Sequence, residues 1–198
     1  MLFWIYLCLI SAGLIAIHLV WHPQKMTVMD SVWIINTLWA GPIALILYIW
    51  YGRRGRQRNY YQALSLSTLH CGAGCTLADL IILVIGFFVT MTQPVQWIVA
   101  YILALVIGMF FQYIAMHEMD SKTPMGQLIK KAFLSDFLSL TAWQIGMFIG
   151  QLIMQHIVTA DNLLAHTFNM QIAMAVGFFF SYPMNAWLVK KKIKMLMM

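Results

Sequence analysis

One apolar stretch of the chain contains several side chains that can bind a metal ion or carry a proton. The stretch from His70 to Asp79 holds an imidazole, the thiols of Cys71 and Cys75, and a carboxylate. In a helix Cys71, Cys75 and Asp79 share one face, and Asp79 lies about 12 Å from Cys71 along the axis. Thiols and imidazoles suit soft cations such as Cu(I), and an ionisable residue at membrane depth indicates a functional site. We therefore predict a metal site at His70, Cys71 and Cys75, and ion or proton coupling at Asp79.

The thiols also have a structural interpretation. Cys71 and Cys75 are expected near the reducing cytoplasmic side, where a disulfide is not expected and a metal or catalytic role is favoured. A buried cysteine can equally serve as a small hydrophobic residue, and Cys8, which has no such neighbours, is assigned that role. The two roles of Cys71 and Cys75 remain open at this stage.

Polar and sulfur-containing side chains recur at helical spacing in the later hydrophobic segments. Gln144 is expected at a depth similar to that of Asp79 and is predicted to pair with it, and Asp136 is a second candidate for ion or proton coupling. Gln144 has the alternative role of a hydrogen bond between neighbouring helices, and methionine often only fills gaps in packing. The further candidates for lining a site are Gln112, Met116, Met174, Met184 and Asn185.

Four histidines are predicted at the non-cytoplasmic surface: His18, His22, His156 and His166. His18 and His22 are four residues apart, so they share one helical face with a spacing that can hold a metal ion. Structural roles are the alternative for each of them. Haem held by paired histidines is a weaker hypothesis than copper, because His70 and His117 are expected near the membrane edge, where a haem would be poorly buried.

Composition assigns the chain to the membrane proteins. Hydrophobic residues make up 62% of its 198 residues, charged residues make up 9%, and the mean hydropathy is +0.80. These values exclude a soluble globular domain and a disordered chain. Segments of roughly 20 apolar residues can cross a bilayer, and we place them at 1–20, 31–51, 69–89, 95–119, 132–155 and 165–188. The prediction is an all-α protein, a compact bundle of six transmembrane helices that forms a single domain over 1–198.

The distribution of basic residues predicts the orientation of these helices. If all six segments cross the membrane, 11 of the 12 basic residues fall on one side and only Lys25 falls on the other. The positive-inside rule then places both termini in the cytoplasm. The net charge of +6 is expected to meet anionic lipids of the inner leaflet, and nothing suggests nucleic acid. The basic segment 52–68 is interpreted as a solvated loop, with an interfacial helix as the alternative.

Small residues and prolines indicate where helices approach or break. The Gly146-x-x-x-Gly150 motif and similar patterns around Gly108 and Gly177 predict close helix packing. Proline at 42 and at 183 removes a backbone donor within a segment, so each proline should free a carbonyl that needs another partner. Broken helices of this kind occur at the binding sites of transporters, and also in passive membrane helices.

Four segments of the chain resemble a known family. They are 70–79, 136–144, 170–174 and 181–188, and they are similar to small bacterial membrane proteins grouped as domain of unknown function 4396. The resemblance implies an integral membrane protein of bacterial origin and transfers no activity, substrate or catalytic residue. It favours His70–Asp79, Asp136, Gln144 and Asn185 over the outer histidines.

Two classes of function follow from the sequence. The favoured function is that of a transporter or binding protein for a soft metal ion in the bacterial inner membrane, with Cu(I) as the favoured ion. The alternative is a membrane subunit that does not transport: a thiol-redox protein, a haem carrier or an assembly partner. We assign no catalytic residue, so an enzyme is less favoured, and association into a homo-oligomer is left open.

Overall fold

The computed structural model is all-helical over the residues that it describes. These are residues 1–86, 88–119, 124–158, 163–194 and 196. Of residues 119, 127, 128 and 131 only the backbone is described. The helices are α1 (Leu2–Trp21), α2 (Thr27–Leu47), α3 (Tyr60–Gly86), α4 (Gln93–Met119), α5 (Met125–Ile157) and α6 (Leu163–Lys190). A short π-helix at Tyr48–Gly52 continues α2.

Six helical segments, with residues 27–52 counted as one, are each long and apolar enough in length and composition to span a membrane, which confirms the predicted class. A helix satisfies all its backbone hydrogen bonds internally, as the hydrocarbon interior requires. Large apolar side chains are exposed along the outside of the bundle, among them Phe3, Ile10, Phe110 and Phe179. Such a surface fits contact with lipid, whereas the polar side chains discussed below point inward.

The second hydrophobic segment folds back on itself. The Trp33 ring lies 5.2 Å from the Tyr48 ring and 6.1 Å from the Tyr51 ring, measured between centroids. A Cβ atom added to Gly52 would lie 2.5 Å from the Trp33 indole. In a straight helix residues 33 and 52 would be about 28 Å apart. Residues 27–52 therefore form a helical hairpin, with arms 27–40 and 42–52, and we call this unit the hairpin.

Gly41 and Pro42 form the tip of the hairpin. Gly41 has φ +51° and ψ −129°, a conformation that strongly favours glycine, and a Cβ there would lie 2.7 Å from the Cys8 sulfur. Pro42 has no N–H to offer the carbonyl of Leu38, and Gln171 Nε2 of α6 donates to that oxygen instead, at 2.8 Å. The predicted free carbonyl therefore has its partner, and the irregular backbone is buried within protein.

The fold-back places both ends of the hairpin at the same end of the bundle. Gln24 and Lys25, which precede the hairpin, line a cavity together with Arg54, Arg56 and Arg58, which follow it. Thr27 N–H also donates to Glu118 at the end of α4, at 3.1 Å. The predicted separation of Lys25 from the arginines is thus wrong, because span 2 was taken to cross the bilayer in one direction.

We call this end of the bundle the basic end. The basic side chains that the structure describes all lie there: Lys25, Arg53, Arg54, Arg56, Arg58, Lys130, Lys190, Lys191, Lys192 and Lys194. Lys122 and the Lys131 side chain, which also entered the charge prediction, are outside the described residues. Because α1 leads up to the hairpin from the other direction, the N-terminus lies toward the opposite end from the last residues of α6. This arrangement within the bundle differs from the prediction that both termini share a side, which assumed that residues 31–51 cross the membrane once.

The start of α3 is a second correction. The segment 52–68 was interpreted as a loop or a separate interfacial helix, but α3 begins at Tyr60 and runs without interruption to Gly86. Its first turn is capped by Asn59 and Gln62, whose side chains accept each other's backbone N–H groups at 2.9 and 3.0 Å. The basic loop is therefore reduced to the residues between Gly52 and Tyr60. In the same way α5 begins at Met125, before the predicted boundary.

Small residues allow the close helix contacts that the motifs predict. A Cβ on Gly74 of α3 would lie 2.9 Å from the Gly108 Cα of α4, so the two backbones touch there. On α5 and α6, a Cβ on Gly150 would lie 2.9 Å from the Ala173 Cα. These contacts fix α3 against α4 and α5 against α6. They determine which faces of the four helices turn toward one another, and the polar sites of the bundle lie on those faces.

The fold-back makes a prediction that labelling can test. Pro23→Cys and Gln57→Cys, on either side of the hairpin, should react with a membrane-impermeant maleimide from the same side of oriented vesicles. Leu2→Cys should react from the other side. The native cysteines are buried, so the unmodified protein serves as the blank. If Pro23→Cys and Gln57→Cys react from opposite sides, the hairpin does not exist in the membrane.

Candidate functional site

A cavity of about 480 Å³ lies in the half of the bundle away from the basic end. Asp79 lies in its wall, and we call it the Asp79 cavity. Its polar lining consists mainly of neutral amides and hydroxyls: Thr76, Gln93, Gln96, Gln151, Gln155, Thr167, Asn169 and Gln171. Such groups can replace the water around a small solute or ion without adding charge of their own. Asp79 is the one carboxylate among the described lining residues.

Asp79 reaches the cavity from the buried face of α3. Only 6% of the residue is exposed, and its Oδ2 atom has no hydrogen-bond partner among the described residues. A buried carboxylate without a partner is costly in the charged state. It must therefore hold a proton, or hold a cation that enters the cavity. The expected coupling role of Asp79 stays a prediction, and its position in a cavity supports it.

One face of α6 lines the cavity with an imidazole and two thioethers. His166, Met170 and Met174 follow one another at intervals of four residues, and all three belong to the lining. Gln151 Nε2 donates to the Met170 sulfur at 2.8 Å, and Thr76 Oγ1 donates to the Met174 sulfur at 3.9 Å. The sulfur atoms are thus oriented by polar groups of α5 and α3. This face therefore places Met174 and His166, two of the predicted site residues, in the same cavity as Asp79.

The hairpin tip contributes the side of the cavity nearest the centre of the bundle. Leu38 and Trp39 of the first arm belong to the lining. The Trp39 ring packs 6.1 Å from the Trp143 ring of α5, and its indole N–H donates to Asn36 at 3.1 Å. The tip therefore separates the cavity from the buried residues toward the basic end.

A second polar group lies between the cavity and the basic end. Lys194 Nζ contacts Cys71 Sγ at 2.7 Å and Asp136 Oδ1 at 3.0 Å. Ser139 donates to Cys71 Sγ at 3.2 Å, and Asn185 Nδ2 donates to Ser139 at 2.7 Å. We call this group the Cys71 cluster, and its members are Cys71, Asp136, Ser139, Ser181, Asn185 and Lys194. Every member is buried.

Lys194 enters the bundle through a tight turn at the end of α6. Ile193 N–H donates to Leu188 O, and Lys192 N–H donates to Val189 O, the two bonds of a Schellman motif. Lys192 occupies the left-handed position of that motif with φ +60°. The turn reverses the chain, so that Lys194 points back between the helices. Sequence analysis missed this role because the motif normally carries glycine, and because Lys194 resembles a topology signal.

Asp136 keeps Lys194 charged despite its burial. Burial favours the neutral amine, but the Asp136 carboxylate and the Cys71 sulfur outweigh it and hold the pKa of Lys194 above its ordinary value. The cluster therefore contains a complete ion pair, with side chains that are 0% exposed on both partners. This pair differs from the coupling role predicted for Asp136, since Lys194 already balances the charge of the carboxylate, although Asp136 Oδ2 has no hydrogen-bond partner among the described residues.

The structure does not bring His70, Cys71 and Cys75 together as one ligand set. Within residues 1–86, 88–119, 124–158 and 163–194, no three His, Cys, Asp or Glu side chains form a group that could hold a metal ion. His70 is fully buried with neither ring nitrogen hydrogen-bonded, and its ring lies 6.4 Å from Phe111. Cys75 packs in an apolar cluster with Leu140, Trp143 and other residues.

The predicted pair of Asp79 and Gln144 is not formed. Gln144 is buried, and neither its nitrogen nor its oxygen has a hydrogen-bond partner among the described residues. Gln112 is buried too, with its oxygen unpartnered, and Met116 packs against Ala132 and Tyr113. None of these three lines the Asp79 cavity, and neither does Met184, which is half-buried. Asn185 belongs to the Cys71 cluster through its hydrogen bond to Ser139.

The four histidines assigned to one outer surface divide between the two ends. His18 and His22 stack at 4.7 Å between ring centroids, and His18 Nδ1 pairs with the Tyr48 hydroxyl at 2.8 Å. Tyr48 belongs to the second arm of the hairpin, so this pair lies toward the basic end. His166 lines the Asp79 cavity, and His156 is exposed near the end of α5. The grouping is wrong because it assumed that the second segment crosses the membrane.

Residues 60–194 match the family described as a domain of unknown function, DUF4396. The chain belongs to this family. The match confirms the resemblance predicted from the motifs, and it runs from the first residue of α3 to Lys194. Both polar sites are therefore built largely from the part of the chain that the family defines, whereas α1 and the hairpin precede it. No curated protein and no solved structure matches this chain.

The buried ion pair predicts a strong effect of removing one charge. Lys194→Met should lower the free energy of unfolding by about 3–5 kcal/mol, because it leaves the Asp136 carboxylate buried and unpaired. The double variant Lys194→Met/Asp136→Asn should recover most of this loss, since no charge remains. Unfolding in detergent, followed by intrinsic fluorescence, measures both. Lys191→Met removes an exposed charge of the same turn and is the control; equal stability of the two single variants would show that Lys194 is not buried.

Proposed function

We propose that the protein is a membrane carrier for a soft metal cation, Cu(I), which binds in the Asp79 cavity. The observation that carries the proposal is that His166, Met170 and Met174 line one cavity with Asp79, a buried carboxylate whose Oδ2 atom has no hydrogen-bond partner among the described residues. Thioether and imidazole ligands suit Cu(I), whereas Mg²⁺ and Ca²⁺ require oxygen ligands. The cation is the cargo, and the predicted site moves from the cysteines to the cavity.

The arrangement suits binding that is reversible rather than permanent. A permeating ion needs sites that bind well enough to admit it and weakly enough to release it. Successive ligands on one face of α6, about 6 Å apart along the axis, provide such a series. The surrounding amides can complete the coordination of a partly hydrated ion. Successive weak sites favour transport over storage.

Asp79 supplies the charge balance in this proposal. When no cation is present, a proton on the carboxyl group avoids the cost of a buried unpaired charge. A cation that enters the cavity replaces that proton, and its departure lets the proton return. Metal binding would thus release a proton into solution. This exchange gives Asp79 the coupling role predicted from its depth.

The positive-inside rule gives the proposed orientation. Because the described basic side chains share one end, that end faces the cytoplasm, and the Asp79 cavity opens to the outside. The hairpin then enters and leaves the membrane on the cytoplasmic side, and the N-terminus lies outside. The proposed location is the bacterial inner membrane. Cys75 and Cys71 follow Asp79 along α3 toward the cytoplasm, but the apolar packing around them separates both thiols from the cavity.

The alternative is a membrane subunit that does not transport. One observation favours this alternative. The Cys71 thiol already contacts Lys194 and Ser139, so it is not free to bind a metal ion. On this alternative the sulfur atoms of the chain pack or cycle between redox states, and the purified protein binds no copper. Elemental analysis after reconstitution with Cu(I) separates the two functions.

The sulfur face of α6 predicts a graded loss of metal binding. Met170→Leu and Met174→Leu should each weaken Ag(I) binding, a redox-stable substitute for Cu(I), by at least about tenfold, the usual minimum loss for residues that support a metal site. Titration calorimetry of the purified protein measures the affinity. Met184→Leu lies on the same helix outside the cavity and should bind as the parent does. Unchanged affinity in both cavity variants would exclude these sulfurs as ligands.

The proposed role of Asp79 predicts that its substitution abolishes transport and leaves folding intact. Asp79→Asn should retain the fold, because the amide is nearly isosteric and neutral, and should abolish cation-linked proton release and flux in proteoliposomes. Unfolding in detergent tests the first expectation, and a pH-sensitive dye inside the vesicles tests the second. A variant with normal flux would remove Asp79 from the mechanism. Leu83→Val, one helical turn beyond Asp79 in the same lining, controls for a general disturbance of the cavity.

A further inference from the structure

A second cavity, of about 310 Å³, lies at the basic end beside the hairpin. Its lining comes from the residues that enter the hairpin, the residues that leave it, and Leu66 of α3. The two connecting segments are 30 residues apart in sequence, and only the fold-back brings them together. We call this space the basic cavity.

The charge of the lining has one sign. Lys25, Arg54, Arg56 and Arg58 contribute four cationic side chains, and no residue that lines the basic cavity is acidic. One carboxylate lies beside the lining without belonging to it, since Asp30 accepts the backbone N–H of Gln24 at 2.9 Å. Four cationic side chains around one cavity repel one another, and a single neighbouring carboxylate offsets only part of that repulsion. An anion with several acceptor oxygens would relieve the remainder.

The shape of the lining adds an apolar component. Met29 and Leu66 are buried and lie at the inner side of the cavity, and Met26 is half-buried beside them. Lys25, Arg54 and Arg56 are exposed at its outer side. A charged rim above an apolar base, at the level where the helices end, matches a phosphate group with hydrocarbon attached to it.

Arg58 fixes the geometry of this rim. Its guanidinium donates to Tyr51 O at 2.9 Å and to Gly52 O at 3.3 Å, so it caps the end of the second arm. The connection that carries Arg54 and Arg56 is thereby attached to the hairpin. Gly55, at φ +79°, turns the chain between Arg54 and Arg56, and both arginines line the cavity together with Lys25.

We propose that the basic cavity binds the phosphate headgroup of an anionic phospholipid. The inference is independent of the cargo of the Asp79 cavity, because no residue is shared between the two linings. Contacts with anionic lipids are expected from the net charge, and the basic cavity would be a specific site for them. A lipid held there also bridges both connections of the hairpin, so it secures the hairpin at the membrane surface.

The test is lipid binding by the full-length protein and one double variant. Native mass spectrometry in detergent should show phosphatidylglycerol bound to the parent. Arg54→Gln/Arg56→Gln should weaken that binding roughly 30-fold, at about fivefold for each basic residue near an anionic headgroup. Lys190→Gln/Lys191→Gln removes the same charge from the same end outside the cavity and should bind as the parent does. Equal weakening in both double variants would overturn the proposal in favour of a diffuse surface attraction.

Two further arms identify the source of the phosphate. Phosphatidylcholine should not compete, because it carries no net charge. If inorganic phosphate or glycerol phosphate displaces phosphatidylglycerol at similar concentration, the cavity serves a soluble phosphate compound and the lipid assignment fails. Metal binding in the Asp79 cavity, measured on the same Arg54→Gln/Arg56→Gln protein, should be unchanged, so this proposal and the proposed function can fail separately.

Discussion

The break at Gly41 and Pro42 is the constraint on which the arrangement of the bundle depends. A helix that ends inside a membrane leaves backbone groups without partners, and hydrocarbon cannot supply them. Here Gln171 binds the Leu38 carbonyl, and the Cys8 sulfur lies near the Trp39 carbonyl at 4.0 Å. The hairpin can therefore end only where α1 and α6 meet it. Those contacts determine where its tip forms a wall of the Asp79 cavity.

The hairpin is held along its length by a second set of internal bonds. Asn36 is fully buried, and its amide donates to Leu69 O of α3 at 2.9 Å and to Val32 O of its own arm at 2.8 Å. A buried amide that bonds another helix resists displacement, because its separation would leave polar atoms in an apolar setting. The hairpin is thus a fixed part of the bundle, attached near its tip, at its middle and at its base.

The two polar regions of the interior differ in how their charges are compensated. In the Cys71 cluster the charges of Asp136 and Lys194 are paired, and the serines and Asn185 bind one another. In the Asp79 cavity the single carboxylate has an oxygen without a partner. Asp136 Oδ2 and Asn185 Oδ1 also lack a hydrogen-bond partner among the described residues, but Lys194 balances the charge of Asp136. A carboxylate whose charge is balanced within the protein needs no ligand, whereas a carboxylate in a cavity without a counter-ion is available to one. This difference is why the proposal assigns binding to Asp79 and a structural role to the Lys194 pair.

The amino-acid sequence by itself determined the membrane class, the six apolar helices, the family and the helix faces. Those properties are local: hydropathy over 20 residues needs no neighbour, and the helical repeat alone places His166, Met170 and Met174 on one side of α6. The tertiary structure decided the rest. A straight helix and a hairpin over 27–52 have the same hydropathy, and the hairpin is stable because α1 and α6 bind its tip. Lys194 looks like any cytoplasmic lysine in sequence, and the turn at Lys192 together with Asp136 buries it. Which charged side chains pair depends on helices that are distant in the chain, so the local sequence pattern cannot predict the pairing.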